Sequence, residues 1–329
     1  MFDFISRPFG WLLLQIYNLL GSINSIFPYA FALIIFTIIA KLVMLPFSMK
    51  SKKGMLDTQR IQPKLKELEK KYKDNKEKYS QEVSKLYKSE GVSMLGGCLP
   101  LLITFPILMA LYSVVQRPLT FMLGIDFDNL QSIASLPAVK NALMVANPKI
   151  TDFAEILKNV SRYEILIANE ISANASILSS AQGISANIIP IDFSFFWMNL
   201  SHTPSFNQFG PLWIFPILSG ASAFLSMRIT SRYQGTSGDA QAKQMGQMGM
   251  IMPLISVWIG FMVPTGLALY WIINSLLSVV QDPLLHMYYQ KKHPHLFVKP
   301  EEDTKKKKIV EVSEVLEVEE DDNSDGQDA

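Results

Sequence analysis

Apolar positions fall along this chain in two textures: long runs without charge, and short periodic stretches set among lysines. The first uncharged run lies between Pro28 and Pro46 and holds one ionisable residue, Lys41. As a helix it is nearly long enough to cross the roughly 30 Å of a bilayer's hydrocarbon core, which predicts a first span at 27–48. Four later runs predict spans at 94–117, 210–227, 247–263 and 264–283, the last two joined by the tight turn Pro264-Thr-Gly266 as a re-entrant pair. Pro100 and Pro106 fall inside the second span, where neighbouring helices can satisfy the freed carbonyls. Ahead of the first span, Phe9, Leu13, Ile16, Tyr17 and Leu20 recur at helical spacing with Gln15 and Asn18 opposite. That pattern predicts an amphipathic helix lying in the interface over 1–26.

The stretch 50–90 is of the second texture, with thirteen Lys/Arg against seven Asp/Glu. Ile61, Leu65, Leu68 and Tyr72 are spaced 4-3-4, and Tyr79, Val83 and Leu86 are spaced 4-3, with Asp74-Asn75 between the runs. Two antiparallel helices joined by a tight turn fit, giving a helical hairpin at 49–93 whose first helix is bent by Pro63, inside it or near its start. It reads either as a docking hairpin at the membrane surface or as a solvated helix pair. Residues 118–209 contain no spanning run. Short helices are expected around 123–130, 153–160 and 165–178, and no chemistry is expected there. The three Asn-x-Ser triplets at Asn159, Asn174 and Asn199 matter only in a glycosylating compartment. Residues 228–246 form a polar loop, and 284–329 a charged tail whose lysine run, Lys305 to Lys308, gives way to acids. The tail is expected to be disordered, and either binds anionic lipid or ribosomal RNA or serves as a solubilising extension.

Charge sets the orientation. Past Arg117 the 118–209 region holds only Lys140, Lys149, Lys158 and Arg162 as cations, whereas the hairpin and the tail are lysine-rich. The positive-inside rule then puts the N-terminus outside and the C-terminus in the cytosol. With 329 residues, 49% of them hydrophobic and 18% charged, the chain is an all-α polytopic membrane protein and not a large soluble domain. The N-terminus lacks a basic n-region and an Ala-x-Ala-like site, so no cleaved signal peptide is expected. One cysteine, Cys98, excludes an intramolecular disulfide framework and a cysteine-rich metal site. No nucleophile elbow, P-loop or His-Glu-x-x-His occurs, and His286, His293 and His295 lack acidic partners for a metal. No enzyme, cofactor or specific DNA binding is expected.

Lys41 is the residue that points to function. Nine residues separate it from the next cation, Lys50, which at about 1.5 Å per residue is roughly 13 Å. A lysine stem reaches only about 6 Å toward the interface. An ionisable group inside a span is costly unless it faces protein, water or a counter-ion, so it marks a cavity. The plainer reading is a snorkelled lysine on a short span.

A set of motifs in chain order carries a family resemblance: Ile5-Ser-Arg-Pro8, Lys41-Leu-Val-Met-Leu-Pro46, Gln62-Pro63-Lys64, Leu86-Tyr-Lys-Ser-Glu-Gly91, Gly96-Gly-Cys-Leu-Pro-Leu-Leu102 with Pro106, Phe215-Pro-Ile-Leu218, and Pro264-Thr-Gly-Leu-Ala-Leu-Tyr-Trp271 with Asn274. Over about 4–117 and 190–288 the chain resembles the YidC/Oxa1/Alb3 family of membrane protein insertases, in its short five-span bacterial form. The resemblance implies five transmembrane helices around a hydrophilic, positively charged groove, open to cytosol and lipid and sealed on the outside, plus a cytosolic helical hairpin. Lys41 stands where the family more often has arginine, which keeps the charge and loses the bidentate fork. Thr104 and Ser226 stand where glutamines are common, Tyr270 and Trp271 match an aromatic pair lining the groove, and Asn274 completes that motif. The partners implied are nascent membrane proteins, the ribosome, membrane lipid, the Sec translocon and the signal recognition particle receptor. A reading from another class, a secondary transporter or channel with Lys41 as an anion site, would call for inverted repeats, and none is found.

Overall fold

A computed structural model describes residues 3–23, 26–93, 99–148, 150, 152–233, 251 and 253–297, with the side chains of 99–104 and of 295 excepted. Cys98, the Thr104 side chain, the loop beyond residue 233, the start of the expected fourth span and the tail from 298 lie outside that description. The chain divides into two compact units, one of residues 1–45, 101–232 and 236–281, the other of 46–100, 233–235 and 282–329.

The first unit begins with α1 (Asp3–Ser22), which buries Ser6, Gly10, Leu13, Ile16 and Tyr17. The buried face is turned from the apolar stripe toward two small residues, while Phe9 and Leu20 pack at its edge. The reason is close backbone approach: a Cβ on Gly10 would sit 2.2 Å from the Phe121 carbonyl oxygen, and Ser6 Oγ donates to the Ala110 carbonyl at 3.3 Å. Next, α2 (Pro28–Val43) packs on α1 and starts with proline at its first turn, where the missing N–H is no loss. It stops at Met44, whose N–H turns back to the carbonyls of Ala40 and Leu42. The helix α3 (Leu45–Lys71) then begins inside the stretch expected to complete the first span.

After α5 (Leu99–Gln116), the described residues of 118–184 form six short α-helices: α6 (Pro118–Phe121), α7 (Phe127–Ala134), α8 (Pro137–Ala146), α9 (Phe153–Lys158), α10 (Glu164–Ala173) and α11 (Ala175–Ile184). Side-chain caps start three of them, Asp126 on the Asn129 N–H, Asp152 on Ala154 and Asn174 on Ser176. Leu130, Ile133, Leu143, Ile156, Ile167 and Ile171 are buried in one continuous core with Leu33 and Phe36 of α2. A two-residue-strand hairpin follows, β1 (Ser194–Phe195) against β2 (Met198–Asn199), with Ser194 opposite Asn199.

The unit closes with α12 (Ile214–Tyr233), a short helix α13 over 253–260, and α14 (Thr265–Lys292) up to its residue 281. Gly220 faces Val257 and the Pro253 carbonyl, and Gly260 faces Pro216, so α12 and α13 run antiparallel with glycine at both crossing points.

The second unit takes α3 from residue 46, α4 (Lys76–Ser89) and the end of α14. Asn75 caps α4 on the Lys78 N–H at 3.0 Å, in the predicted turn, and Pro63 lies inside α3. Arg60 and Lys64 both pair with Glu90, tying the far end of the hairpin to its first helix. Among its described residues Leu56, Tyr289 and Leu296 form a small buried cluster, with Tyr289 Oη donating to the Met49 carbonyl at 2.8 Å.

The protein is an all-α membrane protein. Among the described residues two helices are long and apolar enough to cross a bilayer, Pro211–Tyr233 and Thr265–Lys292. A third span results if α2 and α3 are one span broken at Met44, and Phe105–Gln116 is a shorter apolar helix.

Candidate functional site: a lysine between two membrane helices

Lys41 occupies the last turn of α2, where the exposed carbonyls of a helix end favour a cation. Its Nζ donates to Ser278 Oγ on α14 at 2.8 Å. The Ser278 hydroxyl in turn donates to the Asn274 carbonyl at 2.9 Å. Donor and acceptor roles agree along this relay, since the ammonium only donates and the hydroxyl can do both. One turn before Lys41, Thr37 is buried and bonds back to the Leu33 carbonyl at 2.6 Å. The polar positions are thus spaced by four on both helices, Thr37 and Lys41 on α2, Asn274 and Ser278 on α14, so each pair lies on one face.

Tyr270 sits one turn before Asn274 on the same face of α14 and is buried. Trp271 and Ser226 are half-buried and placed by their helices, α14 and α12; Thr104 lies on α5. Among the described residues, hydrogen bonds join Lys41, Ser278 and the Asn274 backbone. Ser278 was not among the residues the sequence singled out. Its one signal is the four-residue offset from Asn274, which matters only once α14 is known to face Lys41.

The opposite end of the α2–α14 pair is closed. A Cβ on Gly266 would meet the Leu200 carbonyl at 3.4 Å, Tyr29 at 3.5 Å and Leu33 at 3.6 Å. Twelve residues further along each helix (29 to 41, 266 to 278) lies the Lys41–Ser278 bond, so the two run in the same direction over about 18 Å. The N–H groups of Thr265 and Gly266, orphans at a helix start, donate to the carbonyls of His202 and Leu200, both at 2.9 Å. Tyr17 Oη donates to the Pro190 carbonyl at 3.1 Å and accepts the Asp192 N–H at 2.9 Å. The Phe193 ring meets Tyr29 edge-on at 4.8 Å. The segment 190–202 is thereby stitched to α14 by backbone bonds, to α1 by the Tyr17 hydroxyl and to α2 by a ring contact.

A second polar cluster was missed altogether. Glu164, fully buried at the start of α10, accepts the Thr120 N–H at 2.8 Å, the Thr120 hydroxyl at 2.7 Å and Arg117 Nε at 3.1 Å. Burial pushes its carboxyl above the ordinary glutamate value, against the pull of the Thr120 and Arg117 bonds. The cluster fastens the short helices to the end of α5. Glutamate at the start of a ten-residue helix carries no sequence signal of burial, which comes from tertiary packing.

These features define a class: a multi-pass membrane protein with a cation held between two apolar helices and a folded segment closing their far end. The chain belongs to the family described as 60Kd inner membrane protein, whose sequence pattern matches residues 21–292. It is 27% identical over 254 residues to "Membrane protein insertase YidC" of Fusobacterium nucleatum, which covers 77% of this chain and 84% of that one. It is 27% identical over 293 residues to "Membrane protein insertase YidC 1" of Listeria monocytogenes serotype 4b, 88% of this chain and 73% of that one. With "Membrane protein insertase YidC" of Mannheimia succiniciproducens it shares 28% identity over 292 residues, 89% of this chain but 38% of that longer one. The expected resemblance is borne out.

Proposed function

We propose that this chain is a membrane protein insertase that moves nascent transmembrane segments from the cytosol into the bilayer through a positively charged groove. The observation that carries the reading is the Lys41–Ser278 bond inside an otherwise uncharged apolar run. An ammonium at this depth attracts a carboxylate far more strongly than it would in water. A client segment with acidic residues near its N-terminus enters from the cytosolic side and its acids pair with Lys41. Its apolar helix then leaves into lipid, driven by burial of apolar surface. The acidic end crosses with the membrane potential behind it, about 2.3 kcal/mol per charge per 100 mV. Thr104, Ser226, Trp271 and Asn274 keep the groove wet, while Tyr270 shapes its wall. The hairpin 49–93 receives the client or its targeting machinery, with the N-terminus outside and the tail in the cytosol beside the ribosome. The chain works alone or with the Sec translocon.

The experiment is complementation in cells depleted of their own insertase, comparing wild type, Lys41→Arg and Lys41→Ala. The readout is protease accessibility of a short client with an acidic N-terminus. Arginine is expected to support translocation and alanine to abolish most of it. Equal activity of the alanine variant would remove charge from the mechanism.

A further inference from the structure

From residue 193 to residue 227 the chain carries no Asp, Glu, Lys or Arg, although only its second half is a membrane helix. The non-helical half is rich in aromatic rings that the fold leaves uncovered. Phe196 and Trp197 form the tip of the β1–β2 hairpin, Trp197 76% exposed, and Phe209 is 86% exposed. Phe196 holds φ at 54°, a left-handed conformation that is a true outlier for a bulky side chain. Phe27, whose ring lies 5.1 Å from that of Phe196, holds φ at 59°. Two strained aromatic residues in contact are maintained by their surroundings and concentrate where a surface has work to do. Glycine would adopt either conformation without strain, so the rings are what the strain preserves.

The patch has a neighbour that identifies its occupant. Trp213 stacks edge-on with Phe261 at 4.8 Å and lies 5.1 Å from Phe209, at the point where α12 begins. From there the exposed surface runs on without interruption along α12 through Ile214, Ile217, Leu218 and Leu225, the flank of a helix long enough to span. Trp213 Nε1 donates to the Ser205 and Gln208 carbonyls at 2.9 and 3.0 Å, so its polar edge is satisfied within the loop. An uncharged aromatic surface continuous with a lipid-facing flank matches the amphipathic belt that rings place at the headgroup boundary.

We propose that the hairpin tip and the loop 205–213 are a wedge seated in the lipid interface, with Phe196, Trp197 and Phe209 buried about 5–10 Å below the headgroups. The partner is the bilayer itself, at the end of the bundle where α2, α12 and α14 begin. The wedge holds the closing segment 190–202 at a set depth, and it does not depend on how Lys41 acts.

The full chain is reconstituted in vesicles of phosphatidylcholine and phosphatidylglycerol with Trp197 as sole tryptophan (W11F, W213F, W258F, W271F). Its emission is expected to shift to the blue. It should lose most of its intensity to bromines carried near the top of the acyl chains, and little to iodide in the water. The wild-type chain supplies a second reading that needs no folding of the variant. A phospholipid bearing a photoactivated diazirine at that depth is expected to label residues 193–213. Strong iodide quenching with no lipid adduct would place the tip in water and overturn the proposal. Protection from both quenchers, with no lipid adduct on the wild type, would mean that protein covers the patch, and overturns it equally.

Discussion

At the scale of single residues, Lys41 was legible because one charge in a long apolar run is conspicuous by cost alone. Its partner was not, because a serine in a membrane helix is ordinary until the facing helix is known. The Lys41–Ser278 bond makes the two residues one unit, so their mutations should not add. Ser278→Ala is expected to weaken client translocation less than Lys41→Ala does. The double variant should match Lys41→Ala, read by the same protease-accessibility assay. Glu164 makes a separate prediction, on stability. Glu164→Ala leaves Arg117 and both Thr120 donors without their acceptor, and Arg117 keeps 34% of its side chain in water. The loss is therefore at the lower end for a broken buried pair, about 3 kcal/mol, measured by thermal unfolding in detergent. The pH sign follows from a folded pKa above the unfolded one: the folded carboxyl holds its proton longer. Stability is highest below the ordinary value of 4.5 and declines as pH rises through the raised value. Glu164→Gln should flatten that slope.

At the scale of elements, periodicity located α1, α4 and the apolar helices, and it aimed α1 imperfectly. A hydrophobic stripe marks the face that seeks burial, whereas the closest contact goes to the smallest residue. Gly10→Ala places a methyl 2.2 Å from a carbonyl oxygen of the backbone at Phe121, which cannot swing aside. The expected loss is about 1–3 kcal/mol of stability in a detergent melt. Gly21, on the same helix with nothing near it, is the control. There alanine should be neutral or stabilising by up to about 1 kcal/mol, through helix propensity alone. The short helices of 118–184 were expected only in part. Their caps, Asp126, Asp152 and Asn174, are readable in retrospect, and Asn174 belongs to one of the Asn-x-Ser triplets. What no local pattern announced is that these helices share a core with α2.

At the scale of the whole molecule, two compact units rest on cores of very different extent. Among the described residues, the first buries a long continuous set of apolar residues, and the second a short cluster of Leu56, Tyr289 and Leu296, with Ile61, Val92 and Leu285 buried outside it. The helix α4 buries no residue at all and is held by Asn75 at one end and by the Glu90 pairs with Arg60 and Lys64 at the other. Local opening is easiest where few apolar contacts must be broken. Amides of 76–89 are expected to exchange with deuterium well before those of α10, in mass-resolved exchange on the reconstituted protein. Equal protection of the two would show that the hairpin is covered by something beyond its own core.

Sequence alone determined the class of molecule, the apolar helices, the helix pair with its Asn75 cap, and the single charge, Lys41, in the first apolar run. Each of these follows from short-range rules: hydrophobic length against bilayer thickness, spacing along a helix, capping chemistry, and the free energy of a lone charge in hydrocarbon. Tertiary structure decided that Ser278 meets Lys41, why α1 turns Gly10 inward, and that Glu164 is buried. It also decided that 190–202 closes the ends of α2 and α14. Those are contacts between residues up to 237 positions apart in the chain, set by which helices lie side by side, and no periodicity within a single helix contains them.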